Sequence, residues 1–231
     1  MQGFKDRLLC LFFSTFLLYS LTVTAKADSL FITHLESEAK SLSAKTEQHL
    51  DWHIIKLGLI AYNNAVRRGI TRRKLLTIVD FSKPSTERRF YTFDLQKHKI
   101  LYHELVAHGK YSGGKHAVSF SNDHNSHKTS LGVYVTESTY LGKQGFSLRL
   151  HGLERGYNDN VKARGVVVHG SRYVSDEFIK VAGQLGRSYG CLALDHKRSG
   201  PIINMIKDGT LIMVYHPASS WVENSHMLRV A

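Results

Sequence analysis

Cysteine is scarce in this sequence, whose 231 residues contain only two, Cys10 and Cys191. A fold held together by several disulfide bonds is therefore excluded. A cysteine that stays unpaired in an oxidising compartment is an inert buried side chain, part of an intermolecular bridge, or a reactive thiol. The residues around each cysteine must decide among these three interpretations.

Proline and long basic runs are also rare. The chain has three prolines, which leaves few rigid linkers, and its longest basic run is "RRK" at Arg72 to Lys74. The formal net charge is nevertheless +12. Positive charge spread in this way favours attraction to an anionic polymer of the cell envelope and disfavours recognition of nucleic acid.

Residues 1–27 have the pattern of a secretory signal peptide. Two basic residues precede the apolar run "LLCLFFSTFLLYSLTVT", and "AKA" at Ala25 to Ala27 supplies the small residues that a signal peptidase needs. Cleavage there predicts a location in the periplasm or cell envelope, with membrane contact only through an uncleaved signal. It also removes Cys10, so that Cys191 becomes the single thiol. A retained membrane anchor is the alternative.

Hydrophobic periodicity divides the rest of the chain into a helical lead-in and a β-rich domain. Apolar residues recur every three or four positions from Leu50 to Arg68, which predicts an amphipathic helix that ends at Gly69. The runs that follow are short and rich in β-branched and aromatic residues, and they predict strands. These runs are "LLTIVDF", "RRFYTFDL", "KILYHELVAHG", "LGVYVTE", "GFSLRLHGL", "GVVVHG" and "TLIMVYH". We therefore expect a lead-in over residues 28–70 and a mainly β domain over residues 71–231.

Two short helices are predicted within the β-rich domain. The first begins at Ser175, which is followed by two acidic residues. The second has Pro201 near its start and Gly209 at its end. Cys191 lies between these two helices.

The remaining thiol is close in sequence to a histidine that is predicted to end a strand. The run "GVVVHG" predicts a short buried strand over Val166 to Val168, with His169 at its end. An imidazole beside a thiol lowers the thiol pKa below about 8.5 by stabilising the thiolate, which is the attacking species. Gly190 lets the backbone approach closely, so the N–H groups of Gly190 and Cys191 are candidates to stabilise an oxyanion.

Several segments resemble one enzyme family. The run "VVVHG", the cysteine in "SYGC" and the strand "GTLIMVYH" are similar to the catalytic region of the L,D-transpeptidases of the bacterial cell wall. The segments "VAHGKYSGG", "FSNDHNSHKTSLGVYVT" and "FSLRLHGLERGYNDN" resemble the murein L,D-transpeptidase catalytic domain branch. The resemblance covers Leu75 to His216, and it implies a β-sandwich or barrel with a few short helices.

The resemblance also implies a mechanism that needs no metal and no organic cofactor. Cys191 attacks a peptidoglycan stem peptide, expels its terminal D-alanine and forms a thioester, while His169 acts as base and then acid, with its ring oriented by the carbonyl of Gly170. An amine of a second stem, or of a protein acyl acceptor, completes an L,D-transpeptidase reaction, whereas water makes the enzyme an L,D-carboxypeptidase. Carbapenem-type β-lactams are expected to acylate the same thiol. The chain departs from the usual family pattern at Tyr189 and Ala193.

Five residues are predicted to contact the substrate, namely Arg149, His108, Ser188, Tyr189 and Asn122. Arg149 lies on the polar face of an alternating strand, where it suits a substrate carboxylate or a surface ion pair. His108 resembles a family position in the cleft. Ser188 and Tyr189 belong to the cysteine motif, and Asn122 lies in a polar turn.

Two further interpretations compete with the acyltransferase hypothesis. "HNSH" at His124 to His127, together with His108 or Asp123, would supply ligands for a zinc-dependent wall peptidase. The stretch is rich in residues that disfavour a helix, however, and the HExxH pattern is absent. The second alternative is a non-catalytic module that binds the wall through its positive charge, with Cys191 playing no part.

Overall fold

The computed structural model describes residues 29–47, 49–217 and 220–230, and the predicted signal peptide lies outside these ranges. The strands are β1 (Leu75–Asp80), β2 (Phe90–Asp94), β3 (Lys99–Glu104), β4 (Val106–Ala107), β5 (Gly132–Gly142), β6 (Gly145–Gly152), β7 (Val167–Ser171), β8 (Leu192–Asp195) and β9 (Leu211–Tyr215). The helices are α1 (residues 29–45), α2 (Trp52–Arg67), α3 (Asp176–Ala182), α4 (His196–Ile206) and α5 (Ser220–Asn224), with a 3₁₀ turn at Lys110–Ser112.

All of these strands belong to one sheet with the order β3-β2-β1-β9-β5-β6-β7-β8-β4. The pairs β1–β9 and β7–β8 are parallel, and the other neighbours are antiparallel. The two edge strands, β3 and β4, are separated in the chain by Leu105 alone. The sheet therefore curls until its edges are close together, and the prediction of a mainly β, barrel-like fold with a few short helices is confirmed.

Helix α2 confirms the predicted amphipathic helix. The Asp51 side chain caps its start by accepting a hydrogen bond from the N–H of His53, and Gly69, with a φ of +70°, follows its end. The helix packs closely on β1, since a Cβ atom at Gly58 would lie 2.9 Å from Cδ1 of Ile78. Helices α1 and α2 share one cluster of buried apolar side chains with the sheet. The division of the chain at residue 71 stays a prediction.

The structure differs from the predicted elements in the region that carries the cysteine. The segment Leu192–Asp195 forms strand β8, which was not predicted. Helix α4 begins directly after it, because Asp195 accepts a hydrogen bond from the N–H of Lys197 and caps the helix there. Pro201 consequently lies inside the helix, not near its start. Helix α3 begins after Ser175 as predicted.

None of the helices in the described ranges has both the length and the apolar character needed to cross a membrane.

Candidate active site

Strands β7 and β8 bring Cys191 and His169 to the same face of the sheet. The two strands run in parallel, with His169 opposite Ala193, and Cys191 directly precedes β8. Because side chains alternate along strands, Cys191, Ala193 and His169 share one face, and ordinary strand spacing puts the Cα atoms of Cys191 and His169 roughly 8 Å apart. Both residues line one cleft of about 470 Å³. The predicted nucleophile and base are thus neighbours.

The cleft is rich in cations and tyrosines. Lys143, Arg164 and Arg187 line it, as do Tyr140, Tyr173 and Tyr189, and no carboxylate side chain is found among its described lining residues. This lining suits a substrate that carries a negative charge. A larger cavity of about 940 Å³ lies beside helix α2, but it contains neither Cys191 nor His169.

His169 is buried, with 3% of its surface exposed. Its Nδ1–H donates to the carbonyl of Gly170 over 3.0 Å, which leaves Nε2 with a lone pair, and Nε2 has no hydrogen-bond partner among the described residues. Burial lowers the pKa of this imidazole. The predicted orienting contact of Gly170 is therefore present. His169 lies inside β7 and not at its end, because the strand continues to Ser171.

Helix α4 packs so closely on β7 that only glycine fits at position 170. A Cβ atom at this position would lie 2.3 Å from Oγ of Ser199 and 3.1 Å from Cα of His196. A larger residue would push β7 away from the helix and move His169 with it.

Cys191 is half-buried, and its thiol points to the carbonyl of Gly165 at 3.8 Å. Burial raises the thiol pKa, while hydrogen bonds from the N–H groups of Val167 and Cys191 and the charge of Arg164 act in the opposite direction. The net direction is upward. The expectation of a lowered thiol pKa is therefore wrong for the free protein, since desolvation outweighs the groups that stabilise the thiolate.

The turn before Cys191 is held by Ser188. The Ser188 hydroxyl accepts from the N–H of Gly190 at 3.1 Å and donates to the carbonyl of Cys191 at 2.7 Å. Gly190 has a φ of +110°, and a Cβ atom there would lie 2.9 Å from the carbonyl oxygen of Lys128, so the predicted close approach of the backbone is present.

These hydrogen bonds bear on two predicted roles. The N–H of Gly190 donates to the Ser188 hydroxyl and the N–H of Cys191 faces its own sulfur, so the oxyanion roles of both groups stay predictions. Ser188 lines the cleft, but the residue is only 6% exposed. Its hydroxyl is hydrogen-bonded to the backbone of the turn. It shapes the turn and is not available to a substrate.

Arg164 is a charged residue of the cleft that the sequence patterns did not single out. Its guanidinium donates four hydrogen bonds, to the carbonyls of Ser121 and Lys128 and to the hydroxyls of Ser126 and Ser130, over 2.6–3.0 Å. These contacts fix the loop over residues 121–130 and hold the positive charge near the thiol. In sequence Arg164 is one of 31 Lys and Arg residues, and nothing local distinguishes it.

Besides Ser188, two of the predicted substrate residues lie at the cleft. Tyr189 lines it, is 66% exposed and stacks on the ring of His127. Arg149 shares a sheet face with His169, and its guanidinium lies 4.1 Å from the ring centre of Tyr140, a cleft residue. The Arg149 charge is therefore at the border of the cleft in a cation–π contact.

Asn122 does not line the cleft. Its amide donates to the Asp159 carboxylate at 2.7 Å and accepts from the N–H of Asn160 at 3.1 Å. These bonds join two loops, so the predicted substrate contact is contradicted. The side chain acts as a local tie between backbone segments.

His108 lies away from the cleft as well. It is 1% exposed, its Nδ1 accepts from the guanidinium of Arg89 at 2.8 Å, and its Nε2 faces the carbonyl of Gly113 at 3.4 Å. Burial, helped by the charge of Arg89, lowers the pKa of His108 to about 4. The predicted substrate contact of His108 is therefore wrong, because both ring nitrogens face protein groups.

The ligand set of the zinc alternative is not assembled. His108 is bonded to Arg89, and His127 is stacked between aromatic rings. Across the part of the chain that the structure describes, no group of three or more His, Cys, Asp or Glu side chains is arranged to hold a metal ion.

A family model described as the L,D-transpeptidase catalytic domain matches residues 46–215, which is more than half of the chain. The chain belongs to the L,D-transpeptidase catalytic domain family. The resemblance seen in the sequence motifs is thereby confirmed. The matched residues include both Cys191 and His169.

Solved L,D-transpeptidase structures are similar to this chain at low identity. One from Mycobacterium smegmatis is 16% identical, with a TM-score of 0.38 over 62% of this chain and 59% of that chain. L,D-transpeptidase 1 from Mycobacterium tuberculosis is 13% identical, with a TM-score of 0.35 over 62% of each chain. L,D-transpeptidase 3 from the same organism is 14% identical, with a TM-score of 0.36 over 62% and 60%. The chain thus spans about three fifths of these proteins, and no curated protein matches it.

Proposed function

We propose that this chain is an exported cysteine acyltransferase that acts on the stem peptides of peptidoglycan. The observation that carries the proposal is the shared cleft face of Cys191 and His169 on adjacent parallel strands, with the His169 lone pair at Nε2. A thiol and an acceptor nitrogen in one cleft are the parts that nucleophilic acyl transfer needs. Family membership supplies the substrate class.

The thiol and the imidazole are both neutral in the free enzyme. Burial raises the thiol pKa of Cys191 and lowers the imidazole pKa of His169, so at neutral pH no ion pair forms between them. His169 therefore takes the proton while the sulfur attacks, as a general base. Acylation should fall as the pH drops through the lowered pKa of His169, because the protonated ring has no lone pair.

The first half of the reaction forms a thioester. The sulfur of Cys191 attacks the stem carbonyl that precedes the terminal D-alanine, and the thiol proton moves to Nε2 of His169. The tetrahedral oxyanion is stabilised by the Cys191 N–H and by the nearby charge of Arg164. The carbon–nitrogen bond then breaks, and His169 returns the proton to the leaving amine of D-alanine.

The second half transfers the acyl group. An amine of a second stem, or of a protein acceptor, loses its proton to His169, attacks the thioester and releases the thiol. If water attacks instead, the enzyme is an L,D-carboxypeptidase. None of these steps calls for a metal or an organic cofactor. The signal-like residues 1–27 lead us to propose that the reaction takes place in the periplasm or cell envelope.

Mass spectrometry of purified tetrapeptide stems after incubation with the protein tests the proposal. A crosslinked dimer identifies an amine acceptor, a shortened monomer identifies water, and both require Cys191, so the Cys191→Ala variant should give neither product. A carbapenem should add its mass to the wild-type protein and not to the variant. Activity that survives in Cys191→Ala and disappears with a chelator would overturn the cysteine mechanism. Wall binding without any product or adduct would overturn the proposal that the protein is an enzyme.

A further inference from the structure

Three aromatic rings are stacked beside the mouth of the cleft. The ring of His127 lies 4.4 Å from that of Tyr189 and 5.7 Å from that of Tyr111, with interplanar angles of 27° and 11°. Tyr189 is 66% exposed and Tyr111 is 55% exposed. Large aromatic side chains exposed together mark a binding surface more often than isolated ones do.

The stack is held by backbone contacts from separate segments of the chain. His127 has a φ of +51°, which is unusual for a residue with a side chain, and its carbonyl accepts from the N–H of Tyr111 at 3.4 Å. Gly109 packs against the same carbonyl, since a Cβ atom there would lie 2.5 Å from it. Tyr189 belongs to the turn that Ser188 fixes. The rings are thus arranged before any ligand binds.

The position of the stack matches the length of a stem peptide. Tyr189 lines the cleft of Cys191 and lies two residues from it, so their Cα atoms are at most about 7 Å apart. A stem attacked at its third residue consists of three residues and the linker to the sugar, so when extended it spans roughly 10 to 15 Å between that carbonyl and the sugar. The sugar of a bound stem therefore comes within reach of the rings.

We propose that Tyr111, His127 and Tyr189 form a ledge that binds the glycan strand of peptidoglycan while its stem peptide enters the cleft. The inference rests on the proposed function. The exposed ring faces of the two tyrosines, which His127 does not cover, are electron-rich, so they attract the weakly positive C–H groups of a sugar ring, and the tyrosine hydroxyls hydrogen-bond to sugar oxygens. The ledge makes the enzyme select stems that are attached to glycan over free peptides.

Tyr111 is the residue to change, because it does not line the cleft and, unlike His127, lies at one end of the stack. Tyr111→Ala should weaken binding to peptide-free glycan strands, prepared from sacculi with an amidase, by about three- to tenfold. It should raise KM for a disaccharide-linked tetrapeptide by a larger factor than for the free tetrapeptide. Tyr111→Phe keeps the ring and should retain most of the binding, whereas Val181→Ala, which removes a side chain that is 91% exposed elsewhere, should change neither measurement.

The results separate the ledge from the proposed function. Unchanged glycan binding in Tyr111→Ala, or an equal loss on linked and free tetrapeptides, overturns the ledge, provided that the melting temperature matches the wild type. If the wild type turns over neither tetrapeptide and no adduct forms on Cys191, but glycan binding still depends on Tyr111, then the catalytic proposal fails and the sugar-binding surface stands.

Discussion

Two buried histidines, each followed by a glycine, have opposite hydrogen-bonding arrangements. Nδ1 of His108 accepts a hydrogen bond from the guanidinium of Arg89, so the neutral ring carries its own proton on Nε2. Nδ1 of His169 donates to the carbonyl of Gly170, so its ring carries the lone pair on Nε2. The first ring is a donor to Gly113, and the second is an acceptor in the cleft that Cys191 also lines.

This difference shows that burial alone does not identify a catalytic base. Both imidazoles have a lowered pKa because both are desolvated. What separates them is the neighbour of Nδ1, which decides the tautomer. The Arg89 donor next to Nδ1 of His108 leaves that ring no free lone pair. The carbonyl next to Nδ1 of His169 leaves a basic nitrogen, Nε2, on a residue that lines the cleft.

Replacing each histidine by alanine should give the largest difference between the two sites, measured as the rate of acylation. His169→Ala removes the proposed base, so single-turnover acylation by a carbapenem should slow by about 10²- to 10⁴-fold. His108→Ala should slow it far less, and His151→Ala, on an exposed position of β6, should have little effect. Thermal melts identify variants that are damaged in folding. If folded His108→Ala were as slow as His169→Ala, the assignment of a single base would be wrong.

Arg164 provides the second test, because it is the charge beside the thiol. Arg164→Met loses four hydrogen bonds and should lower the free energy of unfolding by about 3 kcal/mol. It should also raise the pKa of Cys191, so that alkylation by iodoacetamide slows at neutral pH and its pH profile moves upward. Arg164→Lys keeps the charge and should move the profile less.

Ser126→Ala controls for a loosened loop in this experiment, since it removes one hydrogen-bond partner of Arg164 and leaves the charge in place. Its alkylation profile should match that of the wild type. A wild-type profile in Arg164→Met would remove Arg164 from the mechanism.

The sequence indicated the strand of the proposed base much better than the strand of the proposed nucleophile. Three consecutive valines before His169 predict a buried strand, and β7 is there. Strand β8 has four residues and follows a glycine-containing turn, so it is too short for periodicity to reveal. Helix α4 was misplaced for a related reason, because Pro201 resembles a helix start while the actual cap, Asp195, ends β8.

The roles of the two histidines were not predictable from local sequence. Each follows an apolar run and precedes a glycine. The residue that makes their hydrogen bonding different is Arg89, which lies 19 positions before His108. Long-range pairing of this kind leaves no periodic signal. The same holds for Arg164, whose hydrogen-bond partners all lie at least 34 residues away in the sequence.

The acid sensitivity of the fold is a third test, and it concerns His108. Its pKa is about 4 in the folded protein and 6.5 ordinarily, so between these values the unfolded chain binds a proton that the folded chain does not. The stability that the neutral His108 contributes is therefore fully present above pH 6.5 and is lost as the pH falls toward 4, by about 3 kcal/mol in total. The groups that face His108 are the charges of Arg89 and Arg187 and the carbonyls of Gly113 and Gly114.

Urea denaturation of the wild type and His108→Gln at several pH values measures this contribution. The variant should be less stable at pH 7 but should lose less stability between pH 6.5 and 4, because carboxylates titrate equally in both proteins. Equal losses would show that His108 takes up its proton in the folded protein as it does in the unfolded chain, and would contradict the lowered pKa of this ring.

The smallest effect is expected at Ser188, which connects the two sites. Its N–H donates to the carbonyl of His108 at 3.0 Å, and its hydroxyl bonds both Gly190 and Cys191. Ser188→Ala leaves two buried backbone groups without a partner and should cost about 1 to 3 kcal/mol. Ser43→Ala, which removes a buried hydroxyl bonded to the carbonyl of Leu50 in the helical region, is a matched control for stability alone.

The acylation rate of Ser188→Ala then decides what the turn does. If the hydroxyl only positions the thiol, acylation slows several-fold in Ser188→Ala and stays unchanged in Ser43→Ala. Removal of the hydroxyl also frees the N–H of Gly190, which in the present structure donates to Ser188. Faster acylation in Ser188→Ala would therefore mean that the freed N–H stabilises the oxyanion, and the assignment of that role to the Cys191 N–H without Gly190 would have to be withdrawn.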